Sequence, residues 1–250
     1  MRTESSETMP GTGSRKGSEP AVEVADIARR FGGRWALRGV SLRVEPGEVV
    51  ALLGHNGSGK TTLLRIIATL LRPTRGGGTV LGHDLVRDAA AVREYVGVLG
   101  HSPGLYGDLT ARENLIFALR MAGRPADQGI VESALDEVGL AREADELVRG
   151  FSAGMHRRLA LARLRLREPR VLLLDEPFAS FDSDGIAMIT ALLARHKAGG
   201  NAAIITTHNL QRAEDVVDRT ISLAHGRVVA PTATGVEHPV TAAAPRGGAA

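Results

Sequence analysis

Between residues 21 and 230 the chain alternates short aliphatic runs with stretches of helical spacing, and the alternation predicts its elements. Val22, Val24 and Ile27 mark a first strand, Phe31-Gly32-Gly33-Arg34-Trp35 reads as a turn, and residues 36–44 read as a second strand. Glu45-Pro46-Gly47-Glu48 is a tight turn into the apolar run Val49-Val50-Ala51-Leu52-Leu53, so an antiparallel β region precedes the main sheet. A helix is predicted over Leu63-Leu64-Arg65-Ile66-Ile67-Ala68, a break at Pro73-Thr74-Arg75-Gly76-Gly77-Gly78, and short strands at Thr79-Val80-Leu81-Gly82 and Val96-Gly97-Val98-Leu99-Gly100.

Strand signals then stop over residues 109–149. Thr110-Ala111-Arg112-Glu113 is a capping box opening a helix with Leu115, Ile116, Leu119 and Met121, and a second helix follows around Val131, Leu135 and Val138. Ser152 is an N-cap for the next helix. Val171-Leu172-Leu173-Leu174 and Ala202-Ala203-Ile204-Ile205 are continuously aliphatic, as parallel strands covered on both faces are. Residues 1–20 and 231–250 carry no apolar periodicity and read as a disordered leader and tail. The class is α/β, one domain with a helical insert at about 102–165.

Composition narrows the chemistry. The 250 residues are 43% hydrophobic but only 3% aromatic, so Leu, Val, Ile and Ala must build the core. With no cysteine there is no disulfide, thiol catalysis or thiolate metal site, and the eight histidines show no metal-ligand spacing. A net charge of +3 spread over scattered arginines does not point to nucleic acid. No apolar run reaches the roughly 20 residues that span a bilayer.

The strongest signal is Gly54-His55-Asn56-Gly57-Ser58-Gly59-Lys60-Thr61-Thr62, a Gly-x4-Gly-Lys-Thr between a strand and a helix. Glycines let successive backbone N–H groups aim inward, and the following helix N-terminus adds its positive dipole end, so phosphate oxygens are favoured. Lys60 is placed for the β- and γ-phosphates of a nucleoside triphosphate, and the Thr61 hydroxyl for Mg²⁺. Asp175 and Glu176 follow an aliphatic strand, at the end where such sheets bind ligands; Asp175 suits Mg²⁺ and Glu176 the attacking water. His208 ends another strand at the same edge and suits the γ-phosphate. Phe31 reads equally as a base-stacking aromatic or a shield for the sheet edge, and His101 by itself as a surface or capping histidine.

In this order the motifs resemble the ATP-binding cassette (ABC) ATPases over roughly residues 21–230. The resemblance implies a P-loop NTPase core with a mainly parallel sheet, an N-terminal antiparallel β subdomain and a helical subdomain. Residues 54–62 correspond to Walker A, 171–175 to Walker B, Glu176 to the catalytic glutamate, His208 to the switch histidine and Phe31 to the adenine-stacking position. Ser180-Phe181-Asp182 corresponds to the D-loop, putting Asp182 across a dimer interface. Phe151-Ser152-Ala153-Gly154-Met155 stands for the Leu-Ser-Gly-Gly-Gln signature, without its second glycine and its glutamine, and His101 stands at the Q-loop position, where the residue touches Mg²⁺ or water.

By that resemblance two copies sandwich ATP and Mg²⁺ head to tail, Ser152 and Gly154 of one facing the γ-phosphate held by Lys60 of the other. Separate integral membrane permease subunits are the implied partners, at the cytoplasmic face of the membrane. The run 99–106, with residues 109–115 and the Ser-Ala-Gly signature, is similar to the haem-exporter ATPases of cytochrome c maturation. A drug or lipid exporter is the alternative. A soluble cassette acting on DNA or ribosomes needs a coiled-coil insertion or a second cassette for which the chain has no room, and a P-loop kinase gives no reason for Ser152, Glu176 and His208 together.

Overall fold

The computed structural model describes residues 19–100, 104–179, 181–208 and 210–229. In chain order these form β1 (Val22–Phe31), β2 (Arg34–Val44), β3 (Val49–Leu53), α1 (Lys60–Ile67), β4 (Arg75–Val80), β5 (His83–Asp84), α2 (Ala89–Tyr95) and β6 (Val96–Leu99). There follow α3 (Ala111–Met121), α4 (Gln128–Glu137), α5 (Ala153–Leu166), β7 (Val171–Asp175), α6 (Ser183–Ala198), β8 (Ala202–Thr207), β9 (Arg219–Ala224) and β10 (Arg227–Val229). The predicted leader and tail fall, but for residues 19 and 20, outside the described residues, and so does His101.

Two sheets form. One is antiparallel in the order β2-β1-β4-β5; the other runs β10-β9-β3-β8-β7-β6 and is parallel except at β10. In the second sheet alternate residues serve opposite cores, as a period of two requires. Val50, Leu52, Val171, Leu173 and Ile204 join α1 and the antiparallel sheet, while Val49, Ala51, Leu172, Leu174 and Ile205 meet α5 and α6. A third core of Leu115, Leu119, Leu135, Leu140 and Leu159 holds α3, α4 and α5 together.

Several local expectations change. The first hairpin turns at Gly32-Gly33 alone, because Phe31 still pairs with Arg34 across the strands. Val22, Val24 and Ile27 are all buried despite their odd spacing because a bulge, with Asp26 at φ +52°, shifts the register between Val24 and Ile27. The Gly76-Gly77-Gly78 run read as a break belongs to β4. A Cβ at Gly76 would sit 2.3 Å from the Asp26 carbonyl oxygen and one at Gly78 2.2 Å from that of Glu23, so glycine here permits close strand contact. Met121, expected on the apolar face of α3, is 72% exposed, and its helix instead buries Asn114. The Asn114 amide satisfies itself on the preceding loop, accepting from Tyr106 N–H at 2.8 Å and donating to the Tyr106 carbonyl at 2.9 Å.

Candidate active site

β3, β8 and β7 are neighbours in register, Leu53 opposite Thr207 and Asp175 opposite Thr206, so their C-terminal ends align at one edge. The 54–59 loop leaves β3 there and α1 starts at Lys60. The loop is wedged between two walls. A Cβ at Gly54, whose φ is +149°, would lie 2.3 Å from the Leu223 carbonyl oxygen, and one at Gly59, at φ +113°, 2.7 Å from Leu37. From behind, Gly226 N–H donates to the Ser58 carbonyl at 3.0 Å. His55, Asn56 and Gly57 remain exposed at the loop's crest, with the His55 ring edge-on to His225 at 5.4 Å between centroids, and Thr62 is half-buried on α1.

Lys60 is 6% exposed, and its ammonium donates to the Gly54 carbonyl at 2.6 Å and the His55 carbonyl at 3.3 Å. The loop therefore carries a buried cation held by its own neutral carbonyls. Beside it, the buried Ser58 hydroxyl has no hydrogen-bond partner among the described residues.

The carboxylates meet this loop through threonines. Thr61 Oγ1 donates to Asp175 Oδ2 at 2.8 Å, and Thr206 Oγ1 donates to Asp175 Oδ1 at 2.6 Å. The same Thr206 oxygen accepts the Glu176 backbone N–H at 2.8 Å. Glu176 sits at φ +51°, in the left-handed region that a residue with a side chain adopts only when its surroundings hold it there. Its Oε2 takes His208 Nδ1 at 2.9 Å, and its Oε1 lies 3.9 Å from Lys60 Nζ. Lys60, Thr61, Asp175, Glu176 and His208 thus form one connected group.

Other residues singled out in the sequence stand apart from it. Ser152 caps α5, its hydroxyl accepting Met155 N–H at 3.2 Å, and Gly154 lies in the first turn; neither shares a hydrogen bond with the loop among the described residues. Phe31 is half-exposed at the end of β1, with the Arg29 guanidinium 4.7 Å from its ring centroid. Asp182 caps α6 by accepting Gly185 N–H at 2.9 Å and receives Arg158 Nη2 at 3.2 Å. The Gly185 hydrogen bond first, and the Arg158 charge as well, hold the Asp182 carboxyl below its ordinary range.

Sequence reasoning missed Thr206, whose only signal was a hydroxyl next to Thr207 at the end of a strand that begins aliphatic, and Arg158, which reads as a solvated helix residue. It also missed Arg212, which donates to the Phe178 carbonyl at 2.9 Å.

The donor set fits a triphosphate with Mg²⁺. The loop supplies a cation, an unpaired hydroxyl and helix N–H groups to phosphate, and Thr61 and Asp175 supply hard oxygen donors. No group of three or more His, Cys, Asp or Glu suited to a metal occurs among the described residues.

Residues 37–179 match the family described as ABC transporter. The chain is 42% identical over 214 residues to the cytochrome c biogenesis ATP-binding export protein CcmA of Bordetella bronchiseptica, covering 84% of this chain and 94% of that one. It is 40% identical over 215 residues to the daunorubicin resistance ATP-binding protein DrrA3 of Streptomyces coeruleorubidus, covering 85% and 68%. Among solved structures it is similar to an ATP-binding subunit of an ABC transporter, at TM-score 0.77 and 31% identity over 84% of this chain and 88% of that one. It is also similar to a dimeric ATP-binding cassette in a post-hydrolysis state bound to ADP and phosphate, at TM-score 0.75 and 27% identity over 83% and 96%.

Proposed function

We propose, from the premise that this chain belongs to the ABC transporter family, that it is the ATP-hydrolysing subunit of a membrane exporter and works as a head-to-tail pair of copies. The observation that carries the reading is the convergence of Lys60, Thr61, Asp175, Glu176 and His208 on the edge of one sheet.

Each residue has a task its surroundings suit. Lys60 and the N–H groups of the 54–59 loop bind the β- and γ-phosphates of ATP, and the loop backbone that carries them is already clamped. Thr61 and Asp175 are the residues that would hold Mg²⁺, which when bound neutralises phosphate charge. Glu176 receives the proton of the attacking water, and His208 orients its carboxylate through the 2.9 Å contact. Thr206 fixes the backbone between the two acids. Phe31 stacks on the base, and Ser152 and Gly154, exposed or half-exposed at a helix N-terminus, complete the site of the second copy. Asp182 stands at the joint between copies.

No helix among the described residues is long and apolar enough to cross a membrane. In this reading, which the family and the export-protein relatives support, the substrate's path lies in separate permease subunits, with this chain on their cytoplasmic face. The likeness to CcmA favours haem export for cytochrome c assembly; the comparable likeness to DrrA3 supports a drug exporter as the second reading. Glu176→Gln tests the catalytic assignment: ATP binding persists, hydrolysis falls by at least about a hundredfold, and unchanged turnover would refute the base. Purification from detergent-solubilised membranes separates the exporters, since a cytochrome c assembly permease must co-purify under the first reading and a drug permease under the second.

A further inference from the structure

The Glu176 carboxylate faces two ways. Oε1 points to Lys60 at 3.9 Å, while Oε2 meets His208 at 2.9 Å. Beyond His208 opens a cavity of about 180 Å³, lined by Glu176, Phe178, Ala179, Thr207, His208 and Arg212, and not by Lys60. It is smaller than the roughly 300–1,000 Å³ that organic ligands occupy, so a small ion fits it and a nucleotide does not. Its polar lining is the Glu176 carboxylate, the His208 imidazole, Thr207 and the Arg212 guanidinium. Arg212 is tied in place by donating Nη1 to the Phe178 carbonyl at 2.9 Å, which spends one of five guanidinium donors.

We infer that this cavity is a transient binding site for inorganic phosphate leaving the hydrolysis site, with Arg212 as its main anion contact. The inference rests on Glu176 being the hydrolytic base. Phosphate freed beside Lys60 sits next to Glu176, whose carboxylate repels it once the proton taken from the attacking water has passed on to the phosphate; the Arg212 guanidinium in the cavity wall offers a compensating charge on the far side of that carboxylate. A planar guanidinium matches a phosphate edge with paired N–H donors, and its fixed anchor to Phe178 holds it ready. The adenine nucleotide, bound through the 54–59 loop, need not move for phosphate to depart.

The test measures steady-state ATPase activity of the full chain with added inorganic phosphate or ADP. Arg212→Gln raises the phosphate inhibition constant relative to that of ADP by about three- to tenfold, and Arg212→Lys recovers much of the difference. Because Arg212 also anchors Phe178, the exposed Ala179 provides a second pair: Ala179→Glu weakens phosphate inhibition and Ala179→Lys strengthens it, opposite signs that misfolding does not produce. An unaltered phosphate-to-ADP ratio in Arg212→Gln, or the same direction in both Ala179 variants, overturns the proposal.

A first-turnover experiment identifies the source of the ion. Phosphate reaching a fluorescent phosphate-binding protein trails acid-quenched phosphate in the unaltered chain, and Arg212→Gln shortens the lag by a similar factor. Coincident traces in both would leave a site for ambient phosphate only and overturn the release role. Failure of the underlying reading is separate, because it shows as undiminished hydrolysis in Glu176→Gln.

Discussion

Thr206→Val isolates the link between the two acidic residues. The change keeps shape and β-branching in a fully buried strand position but deletes a hydroxyl that donates to Asp175 at 2.6 Å and accepts Glu176 N–H at 2.8 Å. Losing a hydrogen bond to a charged acceptor and stranding a backbone N–H together cost about 2–4 kcal/mol. For a domain of this size that lowers Tm by roughly 4–16 °C. Because Glu176 is held at φ +51° partly by this bond, its carboxylate also loses its fixed position, and kcat falls about tenfold, equivalent to about 1.4 kcal/mol, with a smaller change in KM. Thermal denaturation and steady-state kinetics read the two effects, with Thr206→Ser as the control that restores both. A valine variant as stable and as active as the unaltered chain would refute the claim that Thr206 organises the site.

Two further substitutions probe the scaffold. Gly226→Ala introduces a Cβ 2.5 Å from the Ala36 carbonyl oxygen at φ +76°, pushing back the turn whose N–H holds Ser58; ATP binding by fluorescence titration should weaken severalfold with a loss of about 1–3 kcal/mol in stability. Equal affinity would show that the turn does not support the loop. His196, buried with Nε2 3.1 Å from the Ala202 carbonyl oxygen, has its pKa lowered below the ordinary 6.5 by desolvation. The unfolded chain then binds the extra proton first, so this contribution is complete above about pH 6.5 and is lost as pH falls toward the folded-state value. Urea denaturation from pH 7.5 to 5 should show the decline, and His196→Gln should flatten it; an identical slope in the variant would contradict the assignment.

The site was legible where residue chemistry is tied to local spacing. Gly54 to Thr62, the aliphatic run ending in Asp175 and Glu176, and the strand before His208 each announce a strand end, and parallel pairing brings those ends together. What escaped depends on contacts between distant segments. Nothing local distinguishes glycines that break a chain from glycines that let β4 press against β1, and only the bulge at Asp26 reconciles the spacing of Val24 and Ile27. Helix α2 is an alanine-rich single stretch of seven residues, too short for a periodic signal. Thr206 and Arg212 acquire meaning only beside Glu176 and Phe178, which lie 30 and 34 positions away.

Complementation tests most directly whether the loop of one copy works with the α5 N-terminus of another. A Lys60→Ala chain and a Ser152→Phe chain should each be inactive alone. Mixed in equal amounts and allowed to exchange, half the pairs carry one intact composite site, so ATPase activity should return to about a quarter of that of the unaltered chain. Activity that stays at the level of the separate variants would mean that Lys60 and Ser152 serve the same copy, contradicting the shared site.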